Sequence, residues 1–390
     1  MKLISFSKLN KYFILPFLVP ILSFITNTIL RRYIYDHINK DGKRYFLTLY
    51  INSSLIVGGL TYFISLIKSR TNKEPEIKKE SAKSIKLFYI YKYGLKKNYI
   101  KKFGLLLLMS LLFAVYVFYN QLYTFNYDNI MDSRFFQIYF ITYISKIILK
   151  AEIFRHHIFS LILSFIGFII LFIPIYSKIK KDEILVNITL LPQSLFYSLF
   201  LVLIKYLTCI YYVSPYLCCL LTGFFSTIIT IILLMIHSYS IKGDLSNLDK
   251  SFNFLDVDNK FEFYFFLIIS YIIFSLTQFF TYLTIYYFSP LIFLMTQIVF
   301  ALVFWIKDAF EGKGEINDII FNSIGYLLLL FAILINHEII ILNFWELNKY
   351  TKKYISERQE EEKNSIYINL KEGINYKTDD EDDEKEENEE

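Results

Sequence analysis

Apolar residues occur in ten stretches of about twenty residues, separated by polar or charged segments. A helix needs about 20 mainly apolar residues to cross the hydrocarbon core of a bilayer, which is about 30 Å thick. The pattern therefore predicts an all-α membrane protein with about ten transmembrane helices. The predicted spans are residues 12–30, 45–67, 103–123, 134–150, 157–176, 188–212, 215–236, 261–286, 289–306 and 319–343.

Two connections between the apolar stretches are very short, and both contain the dipeptide Ser-Pro. One runs from Tyr212 to Pro215 and the other from Tyr287 to Pro290. Proline is tolerated in the first turn of a helix because its missing N–H would have no intrahelical partner there. We therefore expect two pairs of antiparallel neighbouring helices, with the second helix of each pair beginning near the proline.

A weak internal repeat divides the apolar region into two sets of five spans. Residues 139–172 and 294–331 each read as a helix, a charged connector and a second helix, which is centred on Gly167 or Gly325. Because five is odd, two sets of five spans have opposite orientations in the membrane. Inverted repeats of this kind occur in many secondary transporters, with the substrate site near the midplane.

This pattern predicts the domain organisation of the whole chain. A first five-helix half covers residues 1–176 and includes a basic cytosolic loop at 68–102. A second half covers 177–345, and an acidic, largely disordered tail covers 346–390, where hydrophobicity is low and charge is high. Lys and Arg predominate in short cytosolic loops, so we expect both termini in the cytosol and the basic loop near anionic lipid headgroups.

Composition agrees with a membrane protein, since 55% of the residues are hydrophobic and only 20% are charged. Phe and Tyr are abundant, at 40 and 33 residues, which indicates biased codon usage and makes any single aromatic weak evidence for function. Cys209, Cys218 and Cys219 lie in or beside apolar stretches. They show neither a disulfide framework nor the spacing of a zinc site.

Several segments together resemble the drug/metabolite transporter superfamily, which includes the nucleotide-sugar transporters. The resemblance covers most of residues 12–355 and implies ten helices, two inverted five-helix halves and alternating access to a central cavity. The GDP-sugar-binding motif of certain Golgi carriers is absent from residues 293–297. The segments that carry the resemblance are Ser145 to Lys150 with Arg155-His156-His157 and Gly167, Lys205-Tyr206 with Ser214-Pro215 and Gly223, Tyr286 to Pro290, and His337 to Lys353.

Two lysines in predicted spans are the first candidates for a substrate site, because a charge in the hydrocarbon core is expensive and usually functional. Lys146 shares a helical face with Tyr143, and Lys205 lies deep in the sixth span. Both could pair with an anionic substrate group. Two alternatives stay open: Lys146 extends to the membrane interface, and Lys205 makes a structural bond to a carbonyl of a neighbouring helix.

Uncharged polar residues in the eighth and ninth spans are further candidates for substrate binding. Gln278 and Tyr282 lie on one face of the eighth span, and Gln297 lies in the middle of the ninth. Such groups hydrogen-bond a solute or join helices to each other. Asn52, Ser53 and Ser54 beside Gly58-Gly59 are expected to form a close helix contact, with a cavity edge as the alternative, and the small residues around Gly223 are expected to pack on a helix. We expect the pair His337-Glu338 to lie at the membrane interface.

The sequence favours a secondary transporter that moves a small polar or anionic organic metabolite by alternating access, through exchange or facilitated diffusion. The alternative is a non-transporting membrane scaffold or sensor that acts through its charged loop and tail. No Walker motif, G-x-S-x-G motif or intramembrane carboxylate pair is visible, so we predict no enzyme, cofactor or metal site. The expected partners are a small-molecule substrate and membrane lipids but not nucleic acid, and a homodimer is possible. An endomembrane such as the Golgi or ER is favoured over the plasma membrane.

Overall fold

The structure is a computed structural model that describes residues 15–30, 33, 43–71, 96–124, 133–151, 153–176, 178–179, 181–242, 260–310, 316–336, 340 and 354. The basic loop predicted at 68–102 is shorter at both ends, because residues 68–71 and 96–102 are helical. Its remaining residues 72–95, the pair His337-Glu338, and the acidic tail apart from residue 354 lie outside the described residues.

Within the described residues the chain is helical and contains no strand, which confirms the all-α prediction. Each of the ten predicted spans overlaps one α-helix, and a five-residue π-helical segment, Asn120–Thr124, follows the third. The helices are α1 (Leu15–Ile29), α2 (Lys43–Thr71), α3 (Lys96–Tyr119), α4 (Arg134–Ile148), α5 (Arg155–Tyr176), α6 (Lys181–Cys209), α7 (Pro215–Lys242), α8 (Lys260–Tyr287), α9 (Pro290–Phe310) and α10 (Ile316–Asn336).

Six of the described helices are long and apolar enough to cross a membrane, which confirms the prediction of a multi-pass membrane protein. Three shorter helices, α1, α4 and α9, are also apolar. Ten crossings and the inverted repeat stay predictions. The six membrane-length segments are Ile100–Leu122, Arg155–Tyr176, Val186–Cys209, Pro215–Ser240, Lys260–Tyr287 and Ile316–Asn336.

The two Ser-Pro connections begin helices as the sequence predicts, with Pro215 the first residue of α7 and Pro290 the first residue of α9. Ser289 caps α9, because its Oγ accepts a hydrogen bond from the backbone N–H of Ile292 at 3.1 Å. Before α7, Tyr212 has a φ of 54°. This left-handed residue lies in the connection between α6, which ends at Cys209, and α7.

The chain divides into two compact units, one of residues 1–151 and 169–323 and the other of 152–168 and 324–390. In the first unit α2 packs on α7 and α8, α1 packs on α8, and α6 packs on α3 and α4. Most of these contacts join a helix of the predicted first half to a helix of the predicted second half. The two halves are therefore interleaved in this unit.

Glycines allow the closest of these contacts, between α2 and α7. A Cβ atom on Gly59 would lie 2.4 Å from the Cα of Leu220, and one on Gly223 would lie 2.5 Å from the backbone nitrogen of Ile56. Backbone atoms cannot give way as a flexible side chain can. The prediction that these glycines mark close helix contacts is confirmed.

The second unit contains the first part of α5 and the last part of α10, and these two segments pack on each other. A Cβ atom on Gly167 would lie 3.0 Å from the carbonyl oxygen of Gly325. Further along, the buried Asn336 donates a hydrogen bond from Nδ2 to the Oγ of Ser160 at 2.9 Å. A small-residue contact and a polar bond between helices are the usual means of joining helices in a membrane.

Candidate functional site: a polar cavity among the helices

A cavity of about 290 Å³ lies among helices α1, α3, α4, α6, α8 and α9 of the first unit. Its described lining is mostly polar, although most of the helices that form it are strongly apolar. The lining residues are Val19, Ser23, Tyr116, Ser133, Arg134, Gln137, Tyr197, Thr277, Gln278, Thr281, Phe293, Leu294 and Gln297.

Arg134 supplies the positive charge of the described cavity lining. It is the first residue of α4, and its Nη1 donates a hydrogen bond to the backbone carbonyl of Gln297 on α9 at 2.9 Å. A cation at a helix N-terminus is unfavourable because the helix dipole already places partial positive charge there. The position of Arg134 therefore adds positive potential to the cavity wall and is not explained by the stability of α4.

The turn that carries Arg134 is fixed by side chains of α6. Ser194 donates a hydrogen bond to the carbonyl of Ser133 at 3.1 Å, and Ser198 donates one to the carbonyl of Gln137 at 3.3 Å. Within the turn, the Nε2 of Gln137 donates to the Oγ of Ser133 at 3.2 Å. Burying a polar group without a hydrogen-bond partner costs free energy. These bonds provide such partners, and they hold the turn against α6.

Two glutamines from α8 and α9 add amide groups to the cavity wall. Gln278 lies in the second half of α8, and Gln297 lies in the first half of α9. Among the described residues, no hydrogen-bond partner lies near the buried Nε2 of Gln297. A buried donor without an acceptor costs about 1–3 kcal/mol, so this amide is placed to gain from an acceptor in the cavity.

A pair of stacked tyrosines forms the aromatic part of the lining. The rings of Tyr116 on α3 and Tyr197 on α6 have centroids 4.3 Å apart and planes inclined by 25°. Offset stacking of this kind is favourable and rigid. The pair gives the cavity an aromatic wall.

The side chains of the described lining are suited to binding a polar solute. The described lining contains one guanidinium, three amide side chains and several hydroxyls, but no Asp, Glu, Lys, His or Cys. No group of three or more His, Cys, Asp and Glu side chains that could hold a metal ion occurs in the described part of the chain. The cavity has the hydrogen-bonding groups to hold a small polar solute.

The structure brings two of the predicted site residues, Gln278 and Gln297, to this cavity. Tyr282 lies one turn further along α8 and is 0% exposed. Its ring packs edge-on against Phe200 with centroids 6.2 Å apart, and it is not among the described lining residues. Tyr282 thus lies in the core beside the cavity.

The two predicted lysines and Tyr143 are also outside the described lining. Lys205 is 7% exposed, and its Nζ donates hydrogen bonds of 2.7 Å to the carbonyls of Tyr286 and Phe288. Lys205 thus makes the kind of bond that the sequence analysis left open as the alternative to substrate binding, a structural bond to carbonyls at the end of a neighbouring helix. Tyr143 is 65% exposed, and Lys146 on the same face of α4 is exposed as well.

Sequence reasoning missed the guanidinium and most of the other polar lining, including Tyr116 and Tyr197. Arg134 stands at the first position of a predicted span, where a charge normally marks the membrane interface. A signal was present: Arg134 and Gln137 are three residues apart and therefore share a face at the start of α4. Two polar groups facing the same way at the start of an apolar stretch indicate a polar neighbour.

In comparisons with known proteins, no protein-family model matches this chain, and no curated protein is similar to it.

Proposed function

We propose that this protein is a secondary transporter that moves a small polar or anionic organic metabolite across a membrane by alternating access. The cavity in the first unit is the substrate site in this proposal. Arg134, Gln137, Gln278 and Gln297 bind the solute, and the stacked tyrosines form one wall. The membrane character of the chain, with six membrane-length helices in its described part, supports a role at a bilayer.

The observation that carries the proposal is the guanidinium of Arg134 at a polar cavity formed among apolar helices. An ionisable group in such surroundings is expensive, and in membrane proteins it usually marks the path of a substrate or ion. A residue needed only to join α4 to α9 could be an uncharged amide. The combination of guanidinium, amides and hydroxyls around one space is that of a binding site for a polar solute.

Helix packing supports the two inverted halves on which alternating access would rest. In an inverted repeat, each helix of the first half is equivalent to the helix five places later, so α1 is equivalent to α6 and α3 to α8. The pair α1–α8 is then equivalent to the pair α6–α3. By the same rule α2–α8 corresponds to α7–α3, and α1–α9 corresponds to α6–α4. All six of these pairs are in contact, and α2–α7, which maps onto itself, is the most extensively packed pair.

Arg134 also links solute binding to motion in this mechanism. Its hydrogen bond ties the first turn of α4 to the backbone of α9. An anion is a stronger acceptor than a neutral carbonyl, so a bound anion competes for the guanidinium and weakens the link between the helices. Because the predicted spans contain almost no Asp or Glu, exchange or facilitated diffusion is proposed in preference to proton coupling.

The proposal is tested by uptake into proteoliposomes that contain the full-length protein. The vesicles are incubated with a defined mixture of organic acids, sugars, amino acids and nucleotide sugars, and mass spectrometry identifies what accumulates relative to protein-free vesicles. We expect at least one small polar or anionic solute to accumulate. Arg134→Gln should reduce its uptake at least about tenfold, because a hydrogen bond to a charged group contributes about 1.5–3 kcal/mol.

A matched control is available in Arg44. Its Nη1 donates a hydrogen bond of 3.0 Å to the backbone carbonyl of Leu122, so it makes the same kind of bond as Arg134, but it is not among the described lining residues. Arg44→Gln should leave uptake close to wild type. Absence of any accumulated solute with folded protein, or equal uptake by wild type and Arg134→Gln, would contradict the proposal.

A further inference from the structure

We infer that one end of α3 and the adjoining connection between α6 and α7 form a binding site for the headgroup of an anionic phospholipid. Four side chains make up this headgroup site: Lys101, Lys102, Tyr206 and Tyr211. None of them is among the described lining residues of the polar cavity. The headgroup site is thus separate from the proposed substrate site, and the inference does not depend on the proposed function.

Both lysines of the headgroup site reach the same tyrosine ring. Lys101 and Lys102 lie in the second turn of α3, and their Nζ atoms are 5.9 Å and 5.8 Å from the centroid of the Tyr211 ring. A cation within about 6 Å of an aromatic ring is attracted by it. The Tyr211 ring in turn packs edge-on against Tyr206 in the last turn of α6, with centroids 5.3 Å apart. These contacts gather two ammonium groups of α3 on one aromatic surface at the α6–α7 connection.

The positive charge of the headgroup site is not neutralised within the described part of the chain, where neither lysine forms an ion pair with a carboxylate. Two ammonium groups at one ring repel each other. The sequence that leads to them adds charge of the same sign, since residues 81–102 contain seven lysines and neither Asp nor Glu. An anionic ligand between the ammonium groups relieves the repulsion, and phosphate oxygens bind such groups strongly.

The headgroup site lies at the ends of membrane-length segments, where phospholipid phosphates occur. Lys101 and Lys102 are the second and third residues of the segment Ile100–Leu122, and Tyr211 follows closely after the end of the segment Val186–Cys209. A lysine near the end of a span extends its ammonium group to the membrane interface, and tyrosine is enriched there. The predicted orientation places this end on the cytosolic side, whose leaflet carries anionic lipids.

Apolar side chains beside the lysines favour a lipid over a soluble anion as the ligand. Ile100 is 73% exposed and Phe103 is 41% exposed, and both adjoin the two lysines on α3. Phe103 packs edge-on against Phe225 of α7, with ring centroids 5.5 Å apart. The acyl chains of a phospholipid cover such apolar surface while its phosphate binds the ammonium groups, whereas a soluble phosphate would use the lysines alone.

The test compares three ligands that share a phosphate group and differ in net charge or in acyl chains. Dioctanoyl phosphatidylserine is anionic and has acyl chains, dioctanoyl phosphatidylcholine has the same chains and no net charge, and inorganic phosphate has no chains. Their dissociation constants are measured by ligand-induced thermal stabilisation of the full-length protein, purified in a neutral detergent.

We expect phosphatidylserine to bind about tenfold more tightly than either other ligand, because basic side chains near the membrane surface attract anionic headgroups. Lys101→Gln combined with Lys102→Gln should remove this preference. Lys101→Arg combined with Lys102→Arg should keep it, since arginine also binds phosphate. Absence of phosphatidylserine binding, or equal binding of phosphatidylcholine, would overturn the inference. Equal binding of inorganic phosphate would overturn it in favour of a site for soluble anions.

Lys146 and Lys150 provide a matched control, because both are exposed lysines near the C-terminal end of α4. Lys146→Gln combined with Lys150→Gln removes the same charge and should change the affinity for phosphatidylserine by less than about twofold, because salt largely screens charges away from the site. An equal loss in both glutamine variants would show that binding follows overall charge and not this site. An equal loss in the arginine and glutamine variants at 101 and 102 would show a structural role. Either result would overturn the inference.

Discussion

At the scale of single residues, three cations of the apolar helices have three different environments. Arg134 lines a cavity and binds a backbone carbonyl of α9. Lys205 is buried and binds two carbonyls at the end of α8, while Lys146 is exposed. Burial and bonding partner, rather than charge alone, decide whether such a residue binds solute, joins helices or lies at the periphery.

The bonds of Lys205 predict a role in stability. The ammonium group satisfies carbonyls at the C-terminal end of α8, where a positive charge also complements the helix dipole. In Lys205→Met these buried acceptors lose their donor, at a cost of about 1–3 kcal/mol for each group. We expect the midpoint of thermal unfolding in detergent to fall by several degrees, whereas Lys146→Met, at an exposed position of α4, should leave it nearly unchanged.

One result would contradict this structural role and support a role of Lys205 in substrate binding. A Lys205→Met protein that unfolds at the wild-type temperature but no longer takes up solute would show that the ammonium group acts on substrate.

The polar residues in the spans could be found from the sequence because few ionisable side chains are tolerated in hydrocarbon. Gln278 and Gln297 were found in this way, and both lie at the cavity. The partners of Lys205 and the position of Tyr143 depend on which helix packs beside which. The sequence of one helix does not contain that information. The same local sequence is compatible with a polar side chain that faces a cavity, a neighbouring carbonyl or the membrane interface.

At the scale of helices, the crossing of α2 and α7 depends on the absence of two side chains. Gly59 and Gly223 let the backbones approach so closely that an added Cβ would lie within 2.5 Å of backbone atoms. In membranes, close backbone approach of this kind provides packing that apolar surface alone does not, because lipid tails are as apolar as the side chains.

Alanine at these glycines should destabilise the protein. Overpacking of a well-packed contact costs about 1–3 kcal/mol, so Gly59→Ala and Gly223→Ala should each lower the unfolding midpoint and the yield of monodisperse protein. Gly104→Ala is the matched control, because nothing lies within 4 Å of a Cβ added there. Alanine also favours helix over glycine by about 1 kcal/mol, so this variant should be neutral or slightly stabilising.

Equal losses of stability in all three alanine variants would indicate that the glycines act through backbone flexibility and not through the close crossing of α2 and α7.

Helix positions were predicted well, because the length and spacing of apolar stretches are direct consequences of bilayer thickness. Even the first residues of α7 and α9 follow from Pro215 and Pro290. The partner of each helix was not predicted beyond the two short connections. Lipid-facing and helix-facing positions are both apolar, so the pattern that identifies a span does not identify its neighbour.

At the scale of the whole molecule, the two functional hypotheses differ in the part of the chain that they require. A transporter needs the helices and their cavity, whereas a scaffold or sensor needs the charged segments that would recruit partners. Deletion of residues 346–390, which include the acidic segment, should leave solute uptake by proteoliposomes within about twofold of wild type, because the described lining of the proposed site lies between residues 19 and 297.

Loss of uptake on tail deletion, in a protein that stays monodisperse, would contradict this prediction. The scaffold or sensor hypothesis instead requires that the full-length protein moves no solute and that the tail deletion abolishes partner binding. Wild-type uptake by the truncated protein would remove the main support for that alternative.

The most direct test of the central claim, that this cavity is the route of a solute across the membrane, is the two-sided accessibility of position 278. A cysteine is introduced by Gln278→Cys, and a membrane-impermeant thiol reagent is added to either side of sealed vesicles with a single protein orientation. The wild-type protein, in which Cys218 and Cys219 are buried and Cys209 is partly exposed, gives the background. Alternating access predicts labelling from both sides, slowed in each case by a transported solute, whereas labelling from one side only, or from neither, would contradict it.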